Sequence, residues 1–76
     1  MQYVYVLYNL KSRDLYYGYT NNLERRFEEH NRKQEWKLVY YEAYSSEEDA
    51  RLREKKLKHY GQTRKHMKNR IKNSLA

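Results

Sequence analysis

Tyr5 and Tyr16 stand eleven residues apart, and Gly18 follows the second of them at two residues' remove. Arg26 and His30 come next, four residues apart, and Glu54 is the one acid among residues 50–76. These residue types suit phosphodiester hydrolysis. That reaction needs a nucleophilic water, a counter-charge for the developing phosphorane and help for the leaving oxygen. A hydroxyl, an arginine and a carboxylate-bound metal fill these roles. Mg²⁺ takes oxygen ligands, often one or two carboxylates completed by substrate phosphate, and Glu54 is the carboxylate for it. A tyrosine with an ordinary pKa of ~10 is mostly protonated at neutral pH. It needs a neighbouring cation or base before it accepts a proton, and Arg26 and His30 are the candidates.

Each residue also has an ordinary structural role to weigh. A lone histidine on an apolar helix stripe is commonly a satisfied core-edge side chain. Glu54 is spaced for a helical ion pair with Lys58 or Arg51, worth ~0.3–0.5 kcal/mol. Nine of the ten tyrosines lie in stretches that read as strands, where tyrosine is favoured anyway.

The elements that must position these groups follow from periodicity. Residues 3–8, YVYVLY, alternate with period 2 and read as a strand, and residues 14–19, DLYYGY, as a second. The short polar stretch between them implies a hairpin. A symmetric loop at 9–12 sets Tyr5 opposite Tyr16 and Tyr3 opposite Gly18. Val4, Val6, Leu15, Tyr17 and Tyr19 then share the core face, with Tyr5 and Tyr16 on the other. Gly18 leaves a bare patch of sheet there, open to a substrate backbone. Residues 22–33 read as a helix capped by Asn21 with Glu24 as its reciprocal partner. Leu23, Phe27 and His30 share one face of it, and Arg26 borders that face. Residues 37–44 read as a third strand. Ser45-Ser46-Glu47-Glu48 opens a helix that runs to about Tyr60, with Gly61 as its stop. Thr63 caps a last helix to about Ser74, with Met67, Ile71 and Leu75 as its stripe. The order ββαβαα is an α+β fold: a small three-stranded antiparallel sheet with flanking helices, one domain over residues 1–76.

Charge is divided unevenly. Residues 1–49 hold seven Lys and Arg against nine Asp and Glu, a net −2, and residues 50–76 hold ten against one, a net +9. A basic field confined to one end attracts polyanions, nucleic acid first among them. Arg51, Lys55, Lys58, Arg64, Lys65 and Lys68 are the cations assigned to that role. Cysteine is absent, which excludes disulfides and thiolate zinc sites. No apolar run approaches the ~20 residues of a membrane span, and the N-terminus has no signal-peptide pattern. A cytoplasmic monomer without membrane contact is the expectation.

These residues resemble those of the GIY-YIG nuclease family. Tyr3-Val4-Tyr5 corresponds to the first motif and Tyr16-Tyr17-Gly18 to the second. The run from Tyr19 to His30 is similar to the family's continuation, a hydroxyl residue, a leucine, an arginine and a histidine four later. The segment Glu47 to Lys58 is similar to the helix that carries the family's metal-binding glutamate, which falls on Glu54. Tyr3 replaces the leading glycine of the first motif, and Tyr17 the isoleucine of the second. The resemblance implies a GIY-YIG-like fold and a Mg²⁺- or Mn²⁺-dependent endonuclease that nicks double-stranded or branched DNA, directed by structure or damage. It implies that Tyr5 helps activate water, that Tyr16 shares that role or orients the phosphate, and that Arg26 stabilises charge on the scissile phosphate. His30 would assist proton transfer or hold the tyrosines, and Gly18 would let the backbone close on the substrate. Glu54 would bind the metal that stabilises the leaving 3′ oxygen. Some members carry an asparagine downstream of the glutamate, a place Asn69 or Asn73 can take. The alternative is a nucleic-acid-binding module of the same fold with weak or no catalysis. A third reading, an RNA-associated basic protein, rests on the tyrosine-rich sheet as a base-stacking platform.

Overall fold

Alternating β-branched and aromatic residues make a central strand of Gln2–Asn9 (β1). In the computed structural model, which describes residues 1–75, it is flanked by Leu15–Thr20 (β2) and Trp36–Tyr44 (β3). The antiparallel sheet has the order β2-β1-β3. Three helices complete the fold: Leu23–Asn31 (α1), Glu47–His59 (α2) and Gly61–Arg70 (α3), with a 3₁₀ turn at Lys72–Leu75. The α+β class and the element order are those expected from the periodicity.

The two faces of the sheet hold different things. Val4, Val6 and Tyr17 point to one face, where Ala50 and Leu57 of α2, Met67 of α3 and Ile71 bury against them. Leu15, Tyr19 and Leu75 pack around this cluster. The opposite face carries Tyr3, Tyr5 and Leu7, with α1 beside it. Tyr40, Glu42 and Tyr44, alternating along β3, share the α2 face. The Glu42 carboxylate accepts from the Tyr40 hydroxyl at 2.6 Å and from Arg53 Nε of α2 at 3.0 Å, and it accepts from the Tyr44 hydroxyl too. This cluster ties the edge strand to the helix.

Several local details differ from expectation. The hairpin pairs Tyr5 with Gly18 and Tyr3 with Thr20, because the loop spans residues 10–14, further along the chain than supposed. Asn9 shapes that loop: its Oδ1 accepts from Lys11 N at 2.9 Å and from Ser12 N at 2.8 Å, and Arg13 takes φ 65°. The register thus shifts by two residues. Side-chain direction has period 2, so both predicted faces survive. Asn22, not Asn21, caps α1, its side chain accepting from Arg25 N. Ser46 caps α2 through Asp49 N. Gly61 is not a stop with left-handed backbone; it opens α3. Tyr60, extended at φ −118°, serves as the junction of the two helices. Arg64 closes the end of α2 by donating from Nη1 to Leu57 O at 3.1 Å and Lys58 O at 2.8 Å.

Candidate functional site

Register puts Tyr5 beside Gly18, and the missing side chain there decides where the phenol lies. A Cβ at position 18 would sit 2.4 Å from both Cζ and the hydroxyl oxygen of Tyr5, and 2.9 Å from Cε1 of Tyr16. The Tyr5 ring therefore crosses the sheet through the space glycine leaves. Gly18 is itself buried, so the bare patch expected for a substrate backbone is filled by Tyr5 instead. Tyr5 is 1% exposed, and its hydroxyl lies 3.2 Å from His30 Nε2. The half-exposed Tyr16 ring lies 4.6 Å from the His30 ring and 6.1 Å from that of Tyr5. Leu23, Phe27 and His30 are all partly buried along one side of α1, so the apolar stripe read from the sequence is what aims the imidazole at β1.

Electrostatics set the protonation of this pair. Burial, reinforced by Tyr16, raises the Tyr5 pKa well above that of a free phenol. Arg26 opposes the rise and does not overcome it, while Glu54 adds to it. Arg26 thus acts on Tyr5 in the expected direction, but desolvation prevails and the phenol stays protonated. Burial, then the charge of Arg26, lowers the His30 pKa below its usual 6.5, against a smaller opposing effect from Glu29. The result at neutral pH is a phenol O–H facing a neutral imidazole. With the ring proton on Nδ1, Nε2 accepts from the phenol.

Arg26 and Glu54 act on the charge of Tyr5 from two different helices. Arg26 lies on α1 with Nη1 3.5 Å from Glu29 Oε2. The Glu54 side chain on α2 is 22% exposed and takes the ordinary pair with Lys58, Oε2 to Nζ 3.3 Å. Arg51 pairs with Glu47 instead. Lys58 Nζ also lies 5.9 Å above the Tyr16 ring, so Glu54, Lys58, Tyr16, His30 and Tyr5 form one connected sequence of neighbours. Among the described residues no group of three or more His, Asp or Glu is arranged to hold a metal ion. The donor set is a single carboxylate. It fits a hard divalent cation that fills its other positions with water and substrate phosphate, with Lys58 competing for the same oxygens.

Beside the phenols opens a cleft of about 310 Å³, lined by Tyr16, Arg26, Glu29, His30, Lys33, Gln34 and Trp36. Trp36 was not singled out from the sequence. Its signal there is faint: one tryptophan in a polar stretch, just before a strand.

The basic end contributes exposed cations at Arg51, Lys55, Lys58, Lys65 and Lys68. Arg64 is half-buried and, as the closure of α2, has a role inside the fold. Asn69 and Asn73 are exposed, on α3 and the turn after it. No described helix is long and apolar enough to cross a membrane.

Comparison with known proteins supplies an independent line. The family model described as the GIY-YIG catalytic domain matches residues 1–70. A UPF0213 protein of Clostridium perfringens (strain 13 / Type A) is 40% identical, over 71% of this chain and 67% of the relative. The solution NMR structure of a UPF0213 protein from Bacillus halodurans superposes with a TM-score of 0.60 at 30% identity, covering 88% of this chain and 81% of that one.

Proposed function

The chain belongs to the GIY-YIG catalytic domain family, and from that premise we propose that it is a divalent-metal-dependent endonuclease hydrolysing DNA phosphodiester bonds. The observation that carries this reading is the contact of a buried phenol with a neutral imidazole, Tyr5 to His30, beside a second phenol, with an arginine and the Glu54 carboxylate acting on the charge of Tyr5. The substrate is double-stranded or branched DNA, bound by a monomer through the exposed cations of α2 and α3.

A phenol with so high a pKa does not work as a free phenolate. It relays. Water gives a proton to the Tyr5 oxygen as the Tyr5 proton moves to His30 Nε2. The water oxygen bonds to phosphorus while the bond to the 3′ oxygen breaks. Tyr16 orients the phosphate from the exposed side, and Arg26 neutralises charge gathering on its non-bridging oxygens. Glu54 would hold Mg²⁺ or Mn²⁺, which when bound supplies positive charge for the leaving 3′ oxygen. With Glu54 engaged by the metal, Lys58, now its ion-pair partner, would turn its ammonium to the DNA backbone.

Plasmid nicking tests this. Wild type with Mg²⁺ or Mn²⁺ is expected to convert supercoiled plasmid to the open circle, and Glu54→Gln is expected to bind DNA yet leave it intact. Absence of nicking by wild type in either metal, with salt-sensitive DNA binding retained, would instead establish a binding module. The lone carboxylate, already paired with Lys58, is what favours that second reading.

A further inference from the structure

We propose that Trp36, with Tyr16, forms a binding site for one unpaired nucleobase beside the scissile phosphate. The proposal rests on the nuclease reading and names the kind of substrate that site takes. The Trp36 ring lies 6.2 Å from Tyr16 and 6.3 Å from His30, at 62° and 73° to them. Tyr16 and His30 meet at 56°. None of the three rings is stacked parallel on another, and Trp36, only partly buried, lines the cleft with ring surface that these edge-on contacts leave open. Its volume, about 310 Å³, is at the small end of the ~300–1,000 Å³ typical of ligand clefts. That suits one planar ring rather than a duplex.

The cleft is also held ready. Asn31 Oδ1 accepts from Trp36 N at 3.0 Å, Gln34 Oε1 accepts from Asn9 Nδ2 at 2.8 Å, and Glu35 O accepts from Leu10 N at 3.1 Å. Three hydrogen bonds thus tie the segment from α1 to β3 onto the helix and the hairpin loop. The charged groups around the rings are Arg26, Lys33 and, above Tyr16, Lys58, against two carboxylates that each already face a cation, Glu29 on Arg26 and Glu54 on Lys58. A base flanked by phosphates finds ring faces in the middle and cations at the rim. Stacking on aromatic rings is sequence-tolerant, because every base has a π-face. Intrahelical bases are already stacked and paired, so the site selects DNA with a flipped, frayed or single-stranded nucleotide at the cut.

Trp36 is the only tryptophan of the chain, which makes its fluorescence a direct reporter. The test needs no divalent metal and no catalysis. A short oligothymidine is titrated into wild type, and an abasic sugar–phosphate strand of equal length and charge serves as the comparison. Oligothymidine is expected to quench Trp36 and to bind about 5- to 150-fold more tightly than the abasic strand, the range for stacking one base. Trp36→Leu, read by anisotropy of labelled strands, is expected to lose that preference and keep its abasic affinity; Trp36→Phe is expected to keep most of the preference. Equal wild-type affinity for the two strands, or binding without change in fluorescence, would overturn the proposal whatever the variants do. Nicking with no such preference would leave the nuclease intact and remove the base site. The preference without nicking would do the reverse.

Discussion

Tyr5 joins structure to chemistry through one oxygen. Its ring is part of the folded sheet, and its hydroxyl lies 3.2 Å from His30 Nε2. Tyr5→Phe is therefore expected to lower the nicking rate by about 10²–10⁴-fold, the usual weight of a proton-transfer group. DNA affinity is expected to change little, and stability to fall by no more than about 0.5–1.5 kcal/mol. Single-turnover nicking and a thermal melt measure both; an unchanged rate removes Tyr5 from the mechanism. Gly18→Ala couples the two effects. A methyl 2.4 Å from the phenol must displace the Tyr5 ring from both sheet and imidazole. The expected loss is about 1–3 kcal/mol of overpacking together with activity. His30 fixes the pH response. Its pKa lies below 6.5 because it is buried and faces Arg26. The relay needs the neutral ring, so the rate is expected to be level near neutrality and to fall as acid protonates His30. The inflection is expected below 6.5, and to move upward in Arg26→Gln, where the opposing cation is gone.

Among the elements, the join of β3 to α2 concentrates the strongest polar interactions. Glu42 and Arg53 have side chains only 16% and 26% exposed. Burial pushes the Glu42 pKa up, but hydrogen bonds from Tyr40, Tyr44 and Arg53 outweigh it and hold the pKa below normal. A depressed folded-state pKa contributes stability above the unfolded value, lost as pH falls through the folded one. Burial, with the hydrogen bond to Glu42 next, raises Tyr44 to about 12. Stability from that group is present below pH 10 and is lost as pH rises toward 12. Arg53→Met is expected to destabilise by about 1.5–3 kcal/mol, as for a hydrogen bond to a charged group, and to shift alkaline unfolding to lower pH. Urea melts at neutral and alkaline pH measure the two effects.

For the molecule as a whole, the sheet is a partition. One face holds the apolar core under α2 and α3; Tyr5, Leu7 and α1 belong to the other, and the charge of Glu54 on α2 is felt at Tyr5. The net +9 of residues 50–76 lies largely on the helices of the core side. DNA that engages both the cleft and these cations is held by phosphate contacts that displace counterions. Each of Lys65→Ala and Lys68→Ala is expected to reduce the salt slope of DNA binding by about 1, evenly across sequences. Affinity measured at several salt concentrations checks this; slopes identical to wild type would place the DNA elsewhere.

What periodicity and residue type determine by themselves is considerable here. Strands with a 2-residue repeat, helices with an amphipathic stripe and the direction of each side chain are local properties. Val4, Val6 and Tyr17 were legible as core for that reason, and Tyr5 and Tyr16 as their opposite face, even with the hairpin paired two residues out. His30 was legible on the inner stripe of α1, and Glu54 near that of α2. Distances across the fold are not local. That Tyr5 fills the gap over Gly18, that burial defeats Arg26 in setting its protonation, that Arg64 closes a helix, and that Trp36 meets Tyr16 all depend on how separate elements pack. Desolvation and ring-to-ring contact arise only when chain segments far apart in sequence exclude water from one another.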